Sequence, residues 1–338
     1  MTGVVSPMAA PAALRGAGAW KPAELLFWTL PVIGWFAFPE NLPLLTQIAI
    51  TALFALSLDL VLGVAGMVTL GHAAFFGVGA YAAGMLPAYL GIGDPLLGLV
   101  AAAAAAALAG ALTSPLMLRG SGLSQLMVSV GINAMLYEAA NKATEVTGGV
   151  DGLPGVENTP LFGMWSFDLY GRTAYVYAVV VLLLLFWMAR RVVRSPFGVS
   201  LRGIRLNAAR MPALGVPVNR RLAVVWTLAA AYAGVAGALL TQTTQFVSIN
   251  VLGFDRSAEV LLILILGGAG HLYGALVGAV AYMSIHHLLA DIDPEFWQFW
   301  IGLIFIVVVL FARDGALGAA ARIRDLIRNL ILGRGASR

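Results

Sequence analysis

The sequence contains no cysteine, which excludes disulfides, thiolate metal sites and a cysteine nucleophile. Charge is nearly as scarce: 11% of the 338 residues are Asp, Glu, Lys or Arg, against 60% hydrophobic, a balance foreign to soluble globular domains. The only lysines are Lys21 and Lys142, and neither has the Gly-Lys-Ser/Thr setting that cradles nucleotide phosphates. The chain therefore carries no P-loop. His-Glu-x-x-His and Gly-x-Ser-x-Gly arrangements are also missing, which argues against an intramembrane hydrolase. A net charge of +4 invites thoughts of nucleic acid, but in so apolar a chain its distribution between two membrane faces matters more.

Long apolar runs are what the sequence does have. Mean hydropathy is +0.90, and charge-free stretches at 41–58, 60–93, 95–118, 222–254 and 260–290 are of the order of the roughly 20 residues a membrane-spanning helix needs, or longer. The expected fold is all-α, a polytopic helical bundle with about ten passes at 25–39, 43–63, 68–90, 95–118, 121–140, 173–190, 222–245, 257–270, 273–290 and 296–312. A cytoplasmic segment (1–24) precedes the transmembrane region (25–313), and a basic amphipathic tail (314–338) follows it. The apolar stretch near the start is broken by Pro31 and has no small-residue cleavage site, so it reads as a retained first span.

The densest charge lies at 190–221, with Arg190, Arg191, Arg194, Arg202, Arg205, Arg210, Arg220 and Arg221 between two apolar runs. Arginine-rich loops stay on the cytoplasmic side, and with both termini also inside, the remaining basic residues fall almost entirely on that side. Acids run the other way, with Glu40, Asp94, Glu145, Asp151, Glu157, Asp168, Asp255, Asp291, Asp293 and Glu295 outside. Within the loop Ser195-Pro196 opens a helix and Pro212 ends it. Leu201, Ile204, Ala208 and Met211 share one face, with Arg202, Arg205 and Arg210 on the other. Such a helix either rests on anionic lipid or docks a cytoplasmic partner.

Two stretches, 63–84 and 260–274, are crowded with glycine and are expected to hold short or broken helices. Non-helical backbone at membrane depth survives only when buried in protein or lining a water-filled cavity; the alternative is that the glycines permit tight helix crossings. The external loop 141–172 contains a turn-rich segment from Thr147 to Gly155. Asp59, His72, Glu138 and Glu259 lie in or near apolar runs and suit a proton-coupled carrier, although Asp59, Glu138 and Glu259 fall close to span ends. His287 and Asp291 have the spacing of a metal pair but sit with other interfacial acids.

The run Gly63-Val64-Ala65-Gly66-Met67-Val68-Thr69-Leu70-Gly71-His72-Ala73-Ala74-Phe75-Phe76-Gly77-Val78-Gly79-Ala80-Tyr81 resembles the permease subunit of ATP-binding-cassette importers for branched-chain amino acids. Thr147-Gly148-Gly149 with Asp151-Gly152-Leu153, then Phe197-Gly198, Leu201-Arg202-Gly203-Ile204-Arg205, Ala213-Leu214-Gly215-Val216 and Ala233-Gly234-Val235-Ala236-Gly237 follow in the family's order. Leu206-Asn207, Met211-Pro212, His271 and Ala275 depart from the usual pattern.

The resemblance implies a bacterial inner-membrane importer working by alternating access. Its expected partners are a second permease subunit, a paralogue, two cytoplasmic ATPases that bind ATP and Mg, and an external substrate-binding protein, with membrane lipid around it and no nucleic acid. By the same resemblance Arg202, Arg205, Asn207, Arg210, Leu214 and Gly215 contact an ATPase, and Gly66, Gly71, His72, Phe75, Phe76 and Tyr81 line the path. No cofactor or metal is expected in this chain and no catalytic residue. Relatives that move urea, short amides or small carboxylates are the nearest alternative, and a proton-coupled transporter is the alternative from another class.

Overall fold

A computed structural model describes residues 22–161, 163–167 and 171–311. The expected N-terminal segment, apart from its last three residues, and the expected tail lie outside the described residues. The chain is a bundle of helices: α1 (Pro22–Phe27), α2 (Leu30–Ala37), α3 (Leu42–Leu58), α4 (Ala73–Leu90), α5 (Pro95–Met117), α6 (Leu123–Lys142), the single turn α7 (Thr144–Thr147), α8 (Arg172–Arg194), α9 (Pro196–Asn207), α10 (Val218–Thr244), α11 (Phe254–Gly267), α12 (Leu272–Ile292) and α13 (Trp297–Phe311). Among the described residues the only β pairing is two isolated bridges.

Six helical stretches among the described residues, built on α3, α4, α5, α8, α10 and α12, are long and apolar enough to cross a membrane. The other expected passes take different forms. The pass at 25–39 is α1 and α2 separated by a break at Thr29, where the side chain bonds the Leu26 carbonyl. The pass at 121–140 is the twenty-residue α6, less apolar than the rest, and the pass at 296–312 is the fifteen-residue α13. The pass at 257–270 begins earlier, as an irregular entry at 245–253 that feeds the fourteen-residue α11.

Helix α10 forms the centre, packing on α3, α4 and α5, with Trp226 and Leu239 buried. Small residues permit this: a Cβ on Gly79 of α4 would fall on the backbone of Gly234 in α10, and Gly234 in turn abuts Ala102 and Ala106 of α5. The hairpin of α11 and α12 is equally tight, because Gly267 rests against Gly274 and Gly278.

Two breaks define the interior. Helix α3 continues into a π-helical turn (Asp59–Ala65) and stops at Gly66, whose φ of 77° suits glycine; residues 67–72 are non-helical before α4 begins. At the far end of α10 the chain turns at Gln245 and descends along α4, with Val247 against Gly84, Leu252 against Gly77 and the Ser257 hydroxyl accepting from the Ala73 N–H at 2.9 Å. The eleven residues from 84 to 73 amount to about 16 Å of depth at about 1.5 Å per residue. Side chains and a bridge satisfy the exposed backbone at that depth: Asn133 donates to the Leu252 carbonyl at 3.0 Å, Leu70 N–H donates to Ser129 at 3.1 Å, and Leu153 and Val247 pair with each other.

Candidate functional site

The loop helix α9 starts as its sequence predicts, with the Ser195 hydroxyl accepting from the Gly198 N–H at 3.5 Å and Pro196 at the first position. Leu201 and Ile204 are buried, as expected of its apolar face. The helix ends at Asn207, ahead of Pro212, because the Asn207 side chain accepts from the Arg210 N–H at 3.1 Å and competes with the helical bond. Pro212 instead opens a 3-10 turn (Pro212–Leu214) closed by Gly215 in the left-handed region.

The arginines of this helix divide. Arg202 folds back onto the Val193 carbonyl at 2.7 Å, whereas Arg205 reaches inward and donates to the Gly63 carbonyl in the π turn of α3. Its stem also lies against Gly66. Beside it the buried Asp59 accepts from the Gly270 N–H at 2.6 Å, which ties α3 to the turn between α11 and α12. Sequence reading placed Arg205 on the outward face, so this inward contact is new. What faces outward includes Leu206 and Leu214, 86% and 74% exposed, two large apolar side chains on an otherwise basic surface.

The signature residues gather deeper in the bundle. His72 is buried, its Nε2 is 2.9 Å from the Ser57 hydroxyl, and its ring stacks 5.9 Å from Phe54 and meets Phe75 edge-on at 5.7 Å. Phe75 packs edge-on against Trp226 at 5.3 Å, Tyr81 is buried, and Gly71 approaches the Ser129 carbonyl. Phe76, 4.6 Å from Phe54, also lines a cavity.

Two neighbouring cavities that share Gln47 in their walls lie on the side of this aromatic layer away from α9. A vestibule of about 270 Å³ is lined by Thr46, Gln47, Phe167, Thr243, Thr244 and Gln245. Gln47 also lines a second, smaller cavity of about 90 Å³, walled by Thr51, Phe54, Phe76, Ile263, Arg256 and Glu259. Along α3 the order is therefore Gln47, Thr51, Phe54, Ser57, Asp59 and Gly63, from open vestibule through aromatic layer to the α9 junction. A larger cavity of about 850 Å³ between α5 and α8 has an almost uniformly apolar wall that suits an acyl chain. Sequence reading singled out Glu259 near a span end but not its pairing with Arg256 in a cavity wall; only the irregular backbone before α11 brings the two to this depth. His287 and Asp291 stand 3.7 Å apart, and the described residues contain no group of three or more such side chains placed to hold a metal.

The family model described as branched-chain amino acid transport system / permease component matches residues 42–309. The chain is 29% identical to the high-affinity branched-chain amino acid transport system permease protein LivM of Salmonella typhimurium over 297 residues, covering 80% of this chain and 68% of that one. It is 28% identical to LivM of Escherichia coli over the same shares, and 26% identical to the permease protein BraD of Pseudomonas aeruginosa over 79% of this chain and 91% of that one. No solved structure matches.

Proposed function

This chain belongs to the branched-chain amino acid transport permease family, and on that premise we propose that it is the membrane-spanning subunit of an ATP-driven importer for branched-chain or related small amino acids. It sits in the bacterial plasma membrane with the α9 end and both termini in the cytoplasm. That orientation is supported by the arginines of the 190–221 loop and by the acids at the opposite end. The chain crosses ten times, six by the long helices and four by α1 with α2, by α6, by the 245–267 stretch and by α13. The first of these is supported by the contact of Glu24 with Arg190 at one end of α8 and of Pro31 with Tyr175 at the other.

The observation that carries the reading is the bond from Arg205 to Gly63. Leu206 on α9 and Leu214 in the 3-10 turn after it are offered to a partner while Arg205 grips the turn that ends α3. Asp59 joins that turn to the α11–α12 hairpin. A pull on α9 therefore reaches α3 and α11, two of the helices that wall the cavities. The partner is a pair of ATPase subunits that bind ATP and Mg, and a second permease, a paralogue, and an external binding protein complete the importer. The packing of Phe54 with His72 and Phe76 below the vestibule supports a state open to the outside. Alternating access needs only that this layer part while the vestibule closes; no covalent chemistry is required.

Co-purification tests this. The chain, mildly solubilised from its native membrane, is expected to carry an ATPase and a second permease, and changing Leu206→Glu with Leu214→Glu is expected to release the ATPase alone. A chain that purifies without any ATPase contradicts the reading.

A further inference from the structure

The smaller cavity is unusual in the chemistry of its walls. One side carries Arg256 and Glu259, one turn apart on α11, with Arg256 Nη1 3.0 Å from Glu259 Oε2. The neighbouring wall supplies Gln47 and Thr51, and the floor is formed by Phe76 and Ile263. Leu252, just before α11, packs on Gly77, thirteen residues from the outer end of α4 and so about 20 Å inside it at about 1.5 Å per residue. Charges at such depth are costly unless a partner or a water-filled cavity receives them.

Stability does not explain the pair. An ion pair three residues apart, with its side chains 47% and 21% exposed, contributes little to folding. Arg256 spends one of its five donors on Glu259, whose carboxylate also faces the Tyr282 hydroxyl, and the remaining donors and acceptor sites present both a cationic and an anionic surface beside an apolar floor. Arg256 also stands in the first turn of α11, where the helix dipole favours a carboxylate. A ligand complementary to this arrangement carries adjacent negative and positive groups on a short apolar side chain. At about 90 Å³ the cavity takes the charged head, and the vestibule above Gln47 provides the approach.

We propose that this cavity is a binding station for the zwitterionic head of an α-amino acid, with Arg256 receiving the carboxylate, Glu259 the ammonium, and Phe76 and Ile263 the side chain. The proposal rests on the importer reading above and assigns its substrate contact within this one subunit, beside the α3–α11 wall.

The test uses the full-length chain with its co-purifying subunits in nanodiscs, and radiolabelled L-leucine displaced by 3-methylbutylamine, which lacks the carboxylate, or by 4-methylpentanoate, which lacks the ammonium. In the native protein each half-ligand is expected to compete at least tenfold more weakly than leucine. Arg256→Gln is expected to weaken leucine at least tenfold while leaving 3-methylbutylamine unchanged, and Glu259→Gln to weaken leucine while leaving 4-methylpentanoate unchanged. General damage weakens all three alike, and that pattern overturns the proposal, as does unchanged leucine binding in both variants. If the variants do not assemble, the native competition decides alone: a half-ligand that matches leucine overturns it. ATP-driven leucine uptake by the native complex separates the two levels. Uptake that persists in both variants sinks the site and leaves the importer reading standing; no uptake of any amino acid by the assembled native complex sinks both.

Discussion

Arg205, on the helix of the basic loop, donates to the backbone carbonyl of Gly63 at the end of the first long span. A surface arginine thus holds an interior turn. Arg205→Met is expected to keep ATPase binding, because Leu206 and Leu214 remain exposed, while ATP-driven uptake falls at least tenfold. Quantifying bound ATPase and uptake in the same preparation checks this, and loss of both together contradicts the division of labour within α9.

Asp59 accepts from the Gly270 N–H in a buried setting. Asp59→Val leaves that N–H without its partner and is expected to cost about 1–3 kcal/mol. Asp59→Asn keeps an acceptor and is expected to cost less. Thermal unfolding of the two variants in detergent, ranked against the native chain, decides it; equal melting of all three removes Asp59 as the tie between α3 and the α11–α12 turn.

Gly79 leaves no room for a methyl group against the Gly234 backbone, whereas Gly131 has nothing within 4 Å of an added Cβ. Overpacking at Gly79→Ala is expected to destabilise by about 1–3 kcal/mol. Gly131→Ala relieves helix entropy and is expected to be neutral or stabilising by up to about 1 kcal/mol. The pair is measured by the same melting experiment, and a reversed order refutes the α4–α10 crossing described above.

Arg190 and Glu24 are 2.5 Å apart with side chains 5% and 13% exposed, and Arg194 joins them at 3.4 Å. Glu24→Gln removes the anionic half of this buried pair, an effect of about 3 kcal/mol for buried pairs. The expected result is a clearly lower melting temperature. An unchanged one means that α1 does not pack on α8 at this end.

Much of this was legible in the sequence because its signals are local. Ser195-Pro196 names a helix start wherever it occurs, and apolar length names a span. The glycine runs at 63–84 and 260–274 marked the breaks, but their reach was hidden, since an apolar residue reads alike in a helix and in an irregular segment. Val247 and Leu252 therefore fell between the expected passes at 222–245 and 257–270, when they line α4 ahead of α11. Arg205 is exposed on the face that helical periodicity assigned it, but its long side chain also reaches a carbonyl 142 residues away in sequence, a contact no local pattern announces. Arg256 and Glu259 carried no motif, and only the folded depth of α11 gave them a cavity.

The central claim is that ATP on a partner, acting through α9, drives uptake. The most direct measurement reconstitutes the chain with its co-purified subunits in liposomes and compares L-leucine uptake under ATP supplied on the α9 side with uptake under an imposed proton gradient. Uptake that requires ATP, ignores the gradient and disappears in the Leu206→Glu, Leu214→Glu variant is the predicted result. Uptake by the chain alone, driven by the gradient without ATP, contradicts it.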